Sequence, residues 1–310
     1  MKIYESGHGS ELTEYFFDDE PLEQILYDKC PEGPTVANLY LQVREFVARI
    51  ENACNDGHIQ DAIAIASELG RSGIPISIEV CSRLVVIMIG IVPSCPNPII
   101  TFDLLPLEPL LAQIWMMALE KENKALQLHV GPVLYRWQEH YGRYHEARQV
   151  LTRLIEINRE IKNHFDEALY LNNFAFDYML EDRFSEAISL FEEAARMFER
   201  LGIAFQYANS RANYWTCRFN LDDIDDLEGI EAELKTLLKI VRKSGQWHER
   251  KPLILLAQIE ERRGNIKEAI DLVEQAIKSC SDSNTHYPEE DVIYLDRLQK
   301  KEAQLDASHK

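Results

Sequence analysis

The sequence predicts an all-α fold, a superhelical solenoid of about six stacked helical hairpins, and three observations carry that prediction. A turn residue, a hydrophobe two positions on and then a small residue recur together four times. The strings are Gly57-His58-Ile59-Gln60-Asp61-Ala62, Gly142-Arg143-Tyr144-His145-Glu146-Ala147, Asp182-Arg183-Phe184-Ser185-Glu186-Ala187 and Gly264-Asn265-Ile266-Lys267-Glu268-Ala269. The alanines set a period: Ala147 to Ala187 is 40 residues, Ala62 to Ala147 is 85 and Ala187 to Ala269 is 82, so each longer gap hides one degenerate unit. After each alanine the apolar residues continue at steps of three and four, as in Ala187, Ile188, Phe191, Ala194 and Ala195, which is one buried helical stripe. A hairpin with one such stripe cannot bury it alone, so neighbours must stack.

Taken in order, residues 1–35 read as an acidic capping segment, partly disordered. Its first 33 residues hold nine carboxylates and two lysines, with Tyr15, Phe16, Phe17, Leu22, Ile25, Leu26 and Tyr27 as anchors for a short helix. Residues 36–125 read as degenerate repeats around a proline-rich loop at 93–109, because Pro93, Pro96, Pro98, Pro106 and Pro109 cannot continue a helix. The apolar run from Leu84 to Val92 is too short to span a bilayer and reads as a buried helix. Residues 126–282 hold the regular repeats, interrupted by Asn220-Leu221-Asp222-Asp223-Ile224-Asp225-Asp226, where a turn is replaced by an acidic loop. Residues 283–310 read as a capping helix and tail. Pro288-Glu289-Glu290-Asp291 starts that helix, and Arg297, Lys300 and Lys301 are expected near its negative end.

Leu171-Asn172-Asn173-Phe174-Ala175-Phe176-Asp177-Tyr178, followed by Ala187, Phe191 and Ala194, resembles the tetratricopeptide consensus of a large residue, a large-small pair, an aromatic, and then alanine-aromatic-alanine. The longer period and the Leu-Asn-Asn-Phe-Ala string are similar to the extended repeats of kinesin light chains and of bacterial adaptor or peptide-sensing proteins. Leu253, Leu256, Ala257, Ala269, Val273 and Ala276 repeat the pattern with Glu260 at the aromatic position. Leu134, Ala147, Leu151 and Leu154 repeat it with Tyr135 where a small residue is expected. The resemblance implies a right-handed superhelix whose first helices line a concave wall.

Composition narrows the function. Thirty-three basic against 52 acidic residues give a formal charge of −19, a field that repels nucleic acid and anionic membranes. Six cysteines without metal-ligand spacing, and an acidic amino terminus unlike a signal peptide, point to a soluble protein in a reducing cytoplasm. No phosphate loop, nucleophile elbow or His-Glu-x-x-His helix is present, so no catalytic residue, cofactor or metal is assigned. His140 and His145 lie five apart, which is not a helical metal pair. Asp222, Asp223, Asp225, Asp226 and Glu228 lack the spacing of a calcium loop and read as a solvated turn that caps the next helix. Cys81 and Cys217, and Trp115, Trp137, Trp215 and Trp247, read as packing residues.

On the concave wall implied by the resemblance, the residues off the packing stripe are Arg136 and His140 in one unit and Asn172, Asn173 and Phe176 in the next. Gln206, Asn209 and Asn213 follow, then Lys251, Gln258 and Arg262. Asparagine is a poor helix former, so four of them on two adjacent helices need a reason. A carboxamide offers the donor and acceptor that peptide backbone requires, and in kinesin-light-chain-like repeats such asparagines grip main chain. Arg136, Lys251 and Arg262 suit a carboxylate or acidic side chain. The expected function is therefore an adaptor that holds a peptide or helix of another protein. The competing readings are a ligand-responsive regulator of an effector, and an enzyme or inhibitor using the irregular segment 76–122.

Overall fold

The structure, a computed structural model, describes residues 34–72, 81, 83–85, 87, 104–244, 249–282 and 289–308. Among them are twelve α-helices, one 3-10 turn and no strand. They run α1 (Pro34–Asn55), α2 (Ile59–Arg71), the 3-10 turn (Leu105–Leu107), α3 (Glu108–Glu120), α4 (Lys124–His140) and α5 (Tyr144–Glu160). Then follow α6 (His164–Leu180), α7 (Phe184–Arg200), α8 (Ala204–Asn220), α9 (Leu227–Lys243), α10 (Arg250–Arg263), α11 (Ile266–Asp282) and α12 (Glu289–Ser308). The segment 1–33 and Pro93, Pro96 and Pro98 lie outside the described residues, as does Trp247. Cys81, Leu84 and Val85 are helical and buried, and the other two prolines do what proline does at a helix start: Pro106 sits in the 3-10 turn and Pro109 in the first turn of α3.

From α4 to α8 the architecture is metronomic. Each helix has 17 residues, and the starts at 124, 144, 164, 184 and 204 are 20 apart. The same turn closes every step. A residue with left-handed backbone stands at 122, 142, 162, 182, 202 and 222, and the next N–H reaches back five residues, as from Arg143 to the Gln138 carbonyl (2.8 Å) and from Asn163 to that of Asn158 (2.9 Å). This is the Schellman ending that absorbs the last carbonyls of a helix. Glycine fills the left-handed position at 142 and 202, but Glu122, Lys162, Asp182 and Asp222 adopt it with a side chain. Search patterns built on glycine miss those turns. Asn123 and Asn163 then cap the next helices by accepting from the N–H groups of Leu126 and Asp166.

Helices pair as α4/α5, α6/α7, α8/α9 and α10/α11, and each second helix packs on the first helix of the next hairpin. First helices also touch one another, α6 against α8 and α8 against α10. The core is a ribbon: α4 to α6 share one buried cluster with α2 and α3, and α8 to α10 form another. The two misfits to the repeat pattern are resolved by hydrogen bonds. Tyr135 is buried, meets Tyr170 edge-on at 6.1 Å and accepts from Asn173 Nδ2 (2.9 Å). Glu260 is buried at a turn and accepts from Arg263 and from Asn265, both at 2.7 Å.

At the acidic loop before α9, Asp226 accepts from the Gly229 N–H (2.9 Å), so the loop caps a helix. At the other end one expectation fails. α12 runs seven residues past Lys301 to Ser308, so Arg297, Lys300 and Lys301 lie in its middle rather than its last turn. Arg297 and Lys301 reach across to Glu261 of α10, and Lys300 pairs with Asp296. Side-chain partners, not the helix dipole, place these cations. Among the described residues no helix is long and apolar enough to cross a membrane.

Candidate functional site

The wall expected to face a partner is the row of first helices α4, α6, α8 and α10. Their polar residues divide into two sets. One set is spent between hairpins, through contacts joining residues 38 apart. Asn172 is 5% exposed and its Oδ1 accepts from Ser210 Oγ at 2.8 Å. Asn213 is 1% exposed and its Oδ1 accepts from Lys251 Nζ. Asn173 donates to Tyr135, as described, and Glu139 of α4 meets Asp177 of α6 at the same spacing. A carboxamide buried between two helices needs such a partner, because leaving it unmade costs about 1–3 kcal/mol.

The second set is half-buried. Arg136, His140, Phe176, Gln206, Asn209 and Gln258 all keep part of their surface in solvent. Two of them hold a shielded polar atom with no partner among the described residues: the Nε–H of Arg136 finds no acceptor, and Oε1 of Gln258 finds no donor. His140 stands edge-on to Tyr141 at 4.9 Å. Phe176 is bridged across two hairpins by Lys251, whose ammonium lies 5.3 Å from the ring centre. Thus α6, α8 and α10 converge on one spot, Phe176, Asn213 and Lys251. Arg262 is elsewhere: it is exposed at a turn, paired with Asp222 (2.7 Å) and stacked over Phe219 (5.4 Å).

Sequence spacing places Asn172 and Asn173 side by side on the wall, yet a helix advances about 100° per residue, so adjacent positions face different neighbours. Tyr135 stands out only as a misfit to the pattern and Ser210 only by its spacing along the wall; neither can be matched to its partner, because each lies a hairpin away. The chemistry of the remaining groups is that of packing. Trp137 is buried with its indole N–H on the Leu104 carbonyl (2.8 Å). Burial pushes the Cys217 thiol up to about 12, so it stays protonated and unreactive near neutrality.

No protein-family model matches the chain, and no curated protein matches it in sequence. Solved structures do resemble it. BtubC (BKLC) from P. vanneervenii is similar over 81% of this chain and 94% of its own, with a TM-score of 0.51 and 18% identity. A signal transduction ATPase with numerous domains that carries a tetratricopeptide repeat sensor, from Pyrococcus horikoshii, is similar over 86% of this chain but only 40% of its own, with a TM-score of 0.56 and 14% identity. The apo form of RapI is similar over 86% of this chain and 73% of its own, with a TM-score of 0.53 and 10% identity. At such identities the likeness establishes fold, and with the hairpin geometry above the conclusion is direct: the chain is a tetratricopeptide-like repeat solenoid.

Proposed function

We propose that this protein is a binding scaffold whose first-helix wall holds a peptide segment or helix of a partner protein. The observation that carries the reading is the half-buried row from Arg136 through Phe176 and Asn209 to Gln258, in which Arg136 and Gln258 keep polar atoms that no described residue satisfies. Shielded unpaired groups on this wall suit an extended main chain, which supplies both acceptors and donors. Arg136 suits a carboxylate in the same segment. Asn172, Asn213 and Arg262 support the wall from behind or beside it, and Asn173 and Lys251 divide their valence between neighbour and guest.

The test uses the whole chain against a displayed library of random peptides. Wild type should retain a family of related peptides, and the triple variant Arg136→Ala, Phe176→Ala, Asn209→Ala should lose it while its circular dichroism shows the helical fold retained. Equal retention by the two proteins would remove the reading.

A second reading, a ligand-responsive regulator, is favoured by the likeness to a repeat domain described as a sensor. Solution scattering separates it from a static scaffold, because a regulator should change its dimensions when the retained peptide binds. The enzyme or inhibitor reading depends on segment 76–122, much of which lies outside the described residues.

A further inference from the structure

Among the contacts between hairpins, one differs from the rest in kind. Asp177 of α6 is 0% exposed, and among the described residues no N–H or hydroxyl reaches either of its oxygens. Its neighbour is a second carboxyl, Glu139 of α4, which is half-buried and close enough for each acid to act on the other. Two carboxyls can share a hydrogen bond only if one supplies the proton. Among the described residues two arginines lie near enough to act on the pair, and neither hydrogen-bonds Asp177. Arg136 of α4 acts on Glu139. From α5, Arg148 acts on Asp177 but is itself paired with Glu181 (2.7 Å) and stacked on Tyr178 (4.6 Å), and the Tyr144 phenol senses all three acids.

Glu181, at the end of α6, adds a third negative charge beside Asp177. Arg183, at the start of α7, is directed to Glu186 and Glu181. The arginines of α8 are turned to Glu233 and Asp223, and Arg143, before α5, is turned to Glu108 of α3.

We infer that Glu139 and Asp177 form a proton-dependent latch between the hairpins α4/α5 and α6/α7: one proton shared by the two carboxyls keeps α4 and α6 packed, and its loss to solvent loosens that junction. The physical cause is that two adjacent charges in a desolvated contact repel strongly, and the arginines nearby offset this only in part: Arg136 acts on Glu139, and Arg148 divides itself between Asp177 and Glu181. Burial first, then the charge of its partner, raises Glu139 to about 9, and burial raises Asp177 above its ordinary range as well. The folded chain therefore holds a proton that the unfolded chain has already lost above the usual carboxylate range. The sign follows: the pair's contribution to stability is full below that range, declines as pH rises, and is gone once the pH passes about 9.

The test begins with the wild-type chain, by infrared spectroscopy at neutral pH. A protonated-carboxyl stretch should be present, should vanish on titration through about 9 and should be missing in Glu139→Gln, whose amide still donates to Asp177. Scattering across the same titration should show the wild type expanding and Glu139→Gln unchanged. Asp177→Asn, which removes the other charge, should be equally flat and stands in if Glu139→Gln does not fold. No protonated-carboxyl band in the wild type, or the same pH profile in wild type and variant, would overturn the latch.

Discussion

The two sides of the solenoid are built from different chemistry. The second helices α5, α7, α9 and α11 each keep one largely apolar face and one wet face; α7 buries Ala187, Phe191, Ala194, Ala195 and Phe198 on a single stripe, and α5 departs from this by burying Arg148 and Asn158 as well. The first helices α4, α6, α8 and α10 are wedged between hairpins, buried on more than one face, and they take polar groups into the core. Gln127, Glu167, Asn172, Asp177, Ser210, Asn213 and Glu260 are all buried there. The difference teaches that the outer helices supply burial energy while the inner ones supply register. An apolar stripe tolerates sliding, whereas a buried amide must meet one particular partner.

That division can be broken from its strong side first. Phe191→Ala removes a fully buried ring from α7, and the expected loss is about 3–5 kcal/mol in denaturant unfolding. A cost near that of a surface residue would mean that α7 is not anchored as described. Smaller is the expected effect of Glu260→Ala in α10, about 1–3 kcal/mol, because Arg263 and Asn265 lose their buried acceptor. Replacing it by Tyr, the pattern's aromatic choice, tests whether the polar contact or the volume matters.

The turns give an effect of opposite sign. Lys162 holds a φ of 60° with a side chain attached, so Lys162→Gly should stabilise the chain by about 0.5–1 kcal/mol, measured by the shift in Tm. A loss instead would show that the Lys162 side chain contributes more than its backbone strain costs. Smallest of all, Asn209→Ala should change stability by less than about 0.5 kcal/mol, as expected for a half-buried wall residue, while weakening peptide retention.

The contrast also explains what was legible in the sequence. Second helices announce themselves through Ala62, Ala147, Ala187 and Ala269 because one face is always wet, which preserves the three-and-four spacing. First helices lose that spacing by being buried on several sides: Leu171, Phe174, Ala175 and Tyr178 matched a known pattern, Leu253, Leu256 and Ala257 matched it in part, and α4 offered only Leu134. The turns at Glu122 and Lys162 were invisible because the left-handed residue is not glycine. On the wall, the residue types were readable, but whether Asn172 faces a guest or Ser210 depends on a position 38 residues away, beyond the reach of local periodicity. The acid pair was hidden for the same reason: Glu139 and Asp177 are unremarkable until stacking brings them together.

The claim beneath all of this is that buried polar pairs between first helices set how the hairpins stack. It is tested most directly by a double-mutant cycle on Asn172→Ala and Ser210→Ala in denaturant unfolding. The account predicts a coupling of at least about 0.5 kcal/mol, with each single change costing more than it does in the presence of the other. Strict additivity would contradict it, leaving the inner wall held by apolar packing alone.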